Sequence, residues 1–213
     1  MNEKVINVHQ ALAELKLLDK RITDATRNPV WVIANEHGNA VINGVKLVDV
    51  IDAMKAGYQK VTDLIAYRDA LKRAVVQSNA VTKVTIAGVE YTVAEAIDAK
   101  NHGMATLAAL RNRMLHDYEQ ARSTAEIQNG PRLENRASEF VRSMTGQTVT
   151  KELTGELKKM RDDFITAHTT ELVDPIGVRK VAGELDEKIT AFTAEVDAVL
   201  STSNSLTEIT VRW

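Results

Sequence analysis

The chain has 213 residues, 27 basic and 29 acidic side chains, a formal net charge of −2 and no cysteine. That excludes disulfides, thiolate metal sites and a cysteine nucleophile, and argues against a general binder of polyanions. With only 4% aromatic residues and three prolines, a chain rich in Ala, Leu, Val, Lys and Glu favours long helices over a β-sandwich or barrel.

Val8, Leu12, Leu15, Leu18, Ile22 and Ala25 recur at three- and four-residue steps. They predict a first helix over Val5–Thr26, which Asn28-Pro29 stops because proline lacks the amide donor. The β-branched run Val30-Trp31-Val32-Ile33-Ala34, the cluster Asn35–Asn39 and then Ala40-Val41-Ile42 predict a β-hairpin, an exposed arm. After Asn43-Gly44 a second helix is expected over Leu47–Ser78. Leu47, Ile51, Met54, Tyr58, Val61, Ile65, Lys72 and Val75 fall near a seven-residue repeat.

Thr82–Ile86, Ala87-Gly88 and Val89–Tyr91 predict a second tight hairpin, and Thr92-Val93-Ala94-Glu95 a capping box. A third helix then carries Val93, Ile97, Met104, Leu107, Leu110, Met114, Tyr118, Ala121 and Ala125 to a stop at Asn129-Gly130-Pro131. Further helices are expected over Leu133–Met144, broken at Thr145-Gly146-Gln147, and over Lys151–His168. Asp174-Pro175 places a cap before a first-turn proline, and the last helix has Val178, Val181, Leu185, Ile189, Phe192, Val196 and Val199 near heptad spacing. Leu206–Val211 alternates like an edge strand, expected to pair with the second hairpin.

There is a faint internal repeat. Ile42-Asn43-Gly44-Val45 before Ile51-Asp52-Ala53 and Gly57 echoes Ile86-Ala87-Gly88-Val89 before Ile97-Asp98-Ala99 and Gly103. The fold class is thus mainly α: an elongated antiparallel helical bundle or coiled-coil hairpin with small β-hairpins and a C-terminal β-strand. The division expected is a bundle over 1–129 with hairpins near 30–42 and 82–91, a helical insert over 130–175, and a helix and strand over 176–213 completing the bundle.

Motifs for chemistry are missing. None of His9, His37, His102, His116 and His168 forms His-Glu-x-x-His, and His116-Asp117-x-Glu119 is at most half a metal site. Phosphate-cradling glycine motifs and a Gly-x-Ser-x-Gly elbow are absent. Asp162-Asp163 and Asp186-Glu187 fall at exposed helical phases, without the burial that tunes a catalytic carboxylate. Arg111, Arg113, Arg122, Arg132, Arg136 and Arg142 give residues 100–150 a balance of +2, but Asp117, Glu119, Glu126, Glu134 and Glu139 interleave with them. No nucleic acid is expected as a partner. No run approaches a membrane-spanning length, and Met1–Gln10 carries charges where a signal peptide is apolar. No catalytic residue, cofactor or metal site is therefore expected. The partner-binding candidates are Val30, Trp31, Val32 and Ile33 in the arm, with Ile209, Val211 and Trp213 at the end.

Three stretches carry a family resemblance: Ala11–Ile22; Ser78–Val84 with Gly88 and Thr92–Ile97; and Asp197, Leu200, Ser203-Asn204 and Leu206–Ile209. Together they resemble the septicolysin-like family of small helical bacterial and phage proteins, over about half the chain. The resemblance implies long antiparallel helices capped by a short hairpin that the C-terminal strand joins. It implies no established activity and no catalytic residues. The Val30–Asn43 and 130–175 segments depart from the family pattern. By this analogy, the function expected is that of a non-enzymatic structural or assembly protein. It would be a component of a bacteriophage virion, capsid- or tail-associated, in the particle or the host cytoplasm. It would act by self-association or by contacts with other virion structural proteins. The alternatives are a membrane-active, toxin-like protein and a small enzyme or metal-binding protein.

Overall fold

The computed structural model describes residues 2–146 and 155–213, and they are mainly helical. The chain forms two compact units, Met1–His102 with Ala191–Trp213, and Gly103–Thr190. These boundaries differ from 129/130 and 175/176, where Asn129-Gly130-Pro131 and Asp174-Pro175 break the local pattern. Breaks in the chain mark the ends of helices, whereas units are set by which helices pack together.

In the first unit, β1 (Glu3–Asn7) pairs antiparallel with β6 (Glu208–Arg212), in register from Glu3↔Arg212 to Asn7↔Glu208. This corrects two expectations: Val5 lies in a strand, and the C-terminal strand joins the N-terminus instead of the second hairpin. Helix α1 (Val8–Arg27) starts at Val8 because Asn7 caps it. The Asn7 side chain accepts from the Gln10 amide at 2.8 Å, and the Gln10 side chain accepts from the Asn7 amide at 3.3 Å.

The first hairpin is also displaced. Strands β2 (Val41–Ile42) and β3 (Val45–Lys46) flank Asn43-Gly44, and Val30–Ala34 forms no strand. A two-residue turn of type I′ needs positive φ at both central positions, which Asn43 (47°) and Gly44 (81°) supply. Helix α2 (Leu47–Val81) follows, then β4 (Lys83–Ile86) and β5 (Val89–Thr92) around Ala87 (φ 49°) and Gly88 (φ 76°). The internal repeat is therefore structural: each hairpin feeds a helix. Each is closed beyond its ladder by the same bond, Leu47 N–H to Ala40 O and Val93 N–H to Thr82 O, both 2.9 Å.

Helix α3 (Val93–Asp98) has the expected Thr92/Glu95 capping box, and a π-helical turn over Ala99–Gly103 separates it from α4 (Met104–Asn129). The continuous third helix expected from periodicity is therefore interrupted. In the second unit, Pro131 opens α5 (Pro131–Thr145), which Gly146 ends at φ 66°. Helix α6 spans Glu156–His168; the expected start at Lys151 and the break residue Gln147 lie outside the described residues. Asp174 caps α7 (Val178–Leu206) by accepting from the amides of Gly177 (2.9 Å) and Val178. Pro175 therefore precedes the helix and does not sit in its first turn.

The core of the first unit gathers Val8, Ala11, Leu15, Leu18, Leu71, Val75, Ile209 and Val211. Helix α1 runs antiparallel to α2, since Asp19 meets Arg68 at 2.6 Å while Pro29 lies against Gly57. The Ala191–Leu206 part of α7 packs on the second hairpin. Phe192 meets Tyr91 edge-on at 5.7 Å, and Glu195 accepts the Ala87 amide at 2.6 Å. In the second unit, Leu133, Ala137, Val141 and Ala182 are buried, and Phe140 stacks on Phe164 at 4.7 Å.

Candidate interaction surface

Helix α2 has 35 residues to the 20 of α1, or about 52 Å against about 30 Å. Because α1 ends where Pro29 meets Gly57, the stretch Leu47–Ala56 of α2 has no α1 beside it. Only Val61, Leu71 and Val75 of α2 are buried. Along the heptad stripe Ile51 is 38% exposed, Tyr58 64% and Ile65 42%. A helix whose apolar stripe is left in water presents a surface that another element normally covers.

The segment from Asn28 to Ala40 covers part of this stretch. A Cβ at Gly57 would meet Pro29 at 3.4 and 3.5 Å and the Trp31 ring at 3.9 Å, so the segment lies in ordinary contact with α2 there and leaves room for no side chain much larger than a methyl group. The Trp31 indole N–H donates to Thr26 O at 3.3 Å. Its ring forms one wall of an open groove of about 590 Å³ completed by Met54, Lys55, Tyr58 and Val61. Of the arm candidates, Val30, Trp31 and Val32 are exposed, with Val32 at 85%, and Ile33 is half-buried. The arm therefore lies partly on its own helix and still presents apolar surface.

The terminal candidates divide differently. Ile209 and Val211 are core residues, 7% and 0% exposed, so they are not available to a partner. Their alternation suits an edge strand, but β6 turns that face onto α1 and α2. Trp213 is packed on Tyr67, with ring centroids 4.3 Å apart, and lines a second groove with Ala56, Gln59, Lys60, Asp63 and Leu64. Sequence reasoning named neither Tyr58 nor any other residue of α2 among the partner-binding candidates. The heptad spacing of α2 is also that of a buried stripe, and which neighbouring element reaches each position separates the two outcomes.

The five histidines are exposed. Asp117 and Glu119 pair with Arg113 (3.0 Å) and Arg122 (3.5 Å) instead of converging with His116. Among the described residues no three His, Asp or Glu side chains gather as a metal ion would need. None of their helices is long and apolar enough to cross a membrane. Comparison of the chain with protein-family models, curated proteins and solved structures finds no match.

Proposed function

We propose that the chain is a non-enzymatic structural protein that self-associates through the uncovered stripe of α2 and the Trp31 segment, and docks in this way into a larger particle. The observation that carries this reading is the apolar groove of Trp31, Met54, Tyr58 and Val61 beside the exposed Ile51 and Ile65. Apolar side chains exposed together at heptad spacing gain free energy by covering one another in a helix pair. The resemblance to the septicolysin-like proteins supports a place in a phage or prophage virion, and the α2 face supports the mode of contact.

The test is the absolute mass of the purified chain by light scattering over a concentration series, for the wild type and for Tyr58→Lys. A fixed oligomer is expected for the wild type. The variant should show the mass of one chain with unchanged helicity, because a lysine placed in the covered stripe would be buried without a partner. A wild-type chain that stays single at high concentration overturns the self-association. An oligomer unaffected by the substitution overturns the role of this face.

A further inference from the structure

The chain contains two Asn-Gly pairs, Asn43-Gly44 and Asn129-Gly130, and the structure treats them in opposite ways. In general chemistry such a pair is prone to self-modification: the glycine amide nitrogen, unhindered by a side chain, attacks the asparagine side-chain carbonyl carbon. At Asn129 this is blocked. Its side-chain nitrogen donates to Thr170 O at 2.7 Å, and its oxygen accepts from the Thr170 amide at 2.7 Å. The Gly130 amide is itself engaged with Glu126 O at 3.1 Å, at the end of α4.

Asn43 stands at the tip of the β2–β3 hairpin, exposed, with no hydrogen bond to its side chain among the described residues and open space around Gly44. Each strand of that hairpin is only two residues long, so opening the turn costs little. The same position in the second hairpin is Ala87, which has no amide to lose, and its backbone N–H is held by Glu195. Of the two hairpins of the repeat, only the first carries the reactive side chain.

We infer that Asn43 is a site of spontaneous deamidation in the folded protein. The deprotonated Gly44 nitrogen forms a bond to Cγ of Asn43, and the side-chain nitrogen leaves as ammonia, giving a five-membered succinimide. Water then opens the ring at either carbonyl, leaving aspartate or isoaspartate, so water is consumed, ammonia released and one negative charge gained. No catalyst or oxidant is required. The isoaspartate product carries an extra methylene in the main chain, which a hairpin with two-residue strands cannot absorb. The modification therefore opens β2–β3 at the end of the proposed docking face. The inference stands independently of whether that face binds anything.

The test is to incubate the full chain, folded, in mildly alkaline water enriched in oxygen-18, and to map the label by digestion and mass spectrometry. Uptake is expected in the peptide holding Asn43. Uptake at Asn129 should be slower by about tenfold or more, a difference of about 1.4 kcal/mol in opening cost. The Asn43→Gln variant, which would need a six-membered ring, should lose the label there while keeping its helicity. Equal labelling of the two peptides, or an unlabelled Asn43 in a folded sample whose unfolded control labels, overturns the inference.

Discussion

Lys4, Glu14 and Tyr67 bring three titratable groups together where β1 meets α1 and α2. Burial opposes ionisation of Glu14, but the 2.8 Å bond from Lys4, with the Tyr67 hydroxyl and Arg21 nearby, outweighs it and holds the carboxyl below its ordinary 4.5. The bond to Glu14 raises the Lys4 amine, against burial. Burial first, and then the Glu14 carboxylate, raises the Tyr67 phenol. A carboxyl depressed in the folded state stabilises it above the unfolded value, and this is lost as pH falls through the folded value. A lysine or phenol raised in the folded state stabilises it below its unfolded value, and this is lost as pH rises through the folded one. The melting temperature is therefore expected to hold steady from about pH 5 to 10 and to fall on either side, and Glu14→Gln should lose the part of the acid fall due to this cluster. The Tyr67 hydroxyl is buried without a hydrogen bond of normal geometry. Tyr67→Phe should therefore keep or raise stability, by up to about 1 kcal/mol in denaturant titration. A clear loss would mean that the hydroxyl is bonded to Glu14.

At the scale of elements, the two hairpins share one backbone and differ in how well their residues suit it. Ala87 holds a φ of 49° that a Cβ disfavours, so Ala87→Gly is expected to stabilise by about 1 kcal/mol, read from the melting temperature. Glu195→Ala removes the acceptor of the Ala87 amide and should cost about 1 kcal/mol. Gly57 makes a second contrast. Its open neighbours lie at ordinary contact distance, so Gly57→Ala should gain up to about 1 kcal/mol in helix propensity without moving Trp31. Gly57→Leu should lift Trp31 from α2 and shift its fluorescence to the red. An unchanged spectrum would show that Gly57 does not seat the arm.

For the whole molecule, pairing of the two ends of the chain matters most to the first unit. Removing Glu208–Trp213 strips β6 from β1 and takes Ile209 and Val211 out of the core. The expected result is a loss of several kcal/mol in denaturant unfolding, far more than fraying of a free terminus would cost. This pairing was not legible in the sequence. Lys4–Asn7 reads equally well as the start of a helix, because its partner lies at the opposite end of the chain and leaves no local signal.

Local physics is written in the sequence, and there the structure agrees with it. The apolar stripes specify the helices, Thr92 and Glu95 the capping box, Ala87-Gly88 the turn of the second hairpin, and Gly146 a stop. Each depends on residues within a few positions of one another. Tertiary structure alone decided which elements meet: β6 with β1, Trp31 on Gly57, and α1 covering only part of α2. It thereby decided that Ile209 and Val211 belong to the core while Tyr58, at the spacing of a core residue, stays in water. Periodicity states that a face is apolar, and what covers that face depends on the lengths and packing of elements far away in the chain.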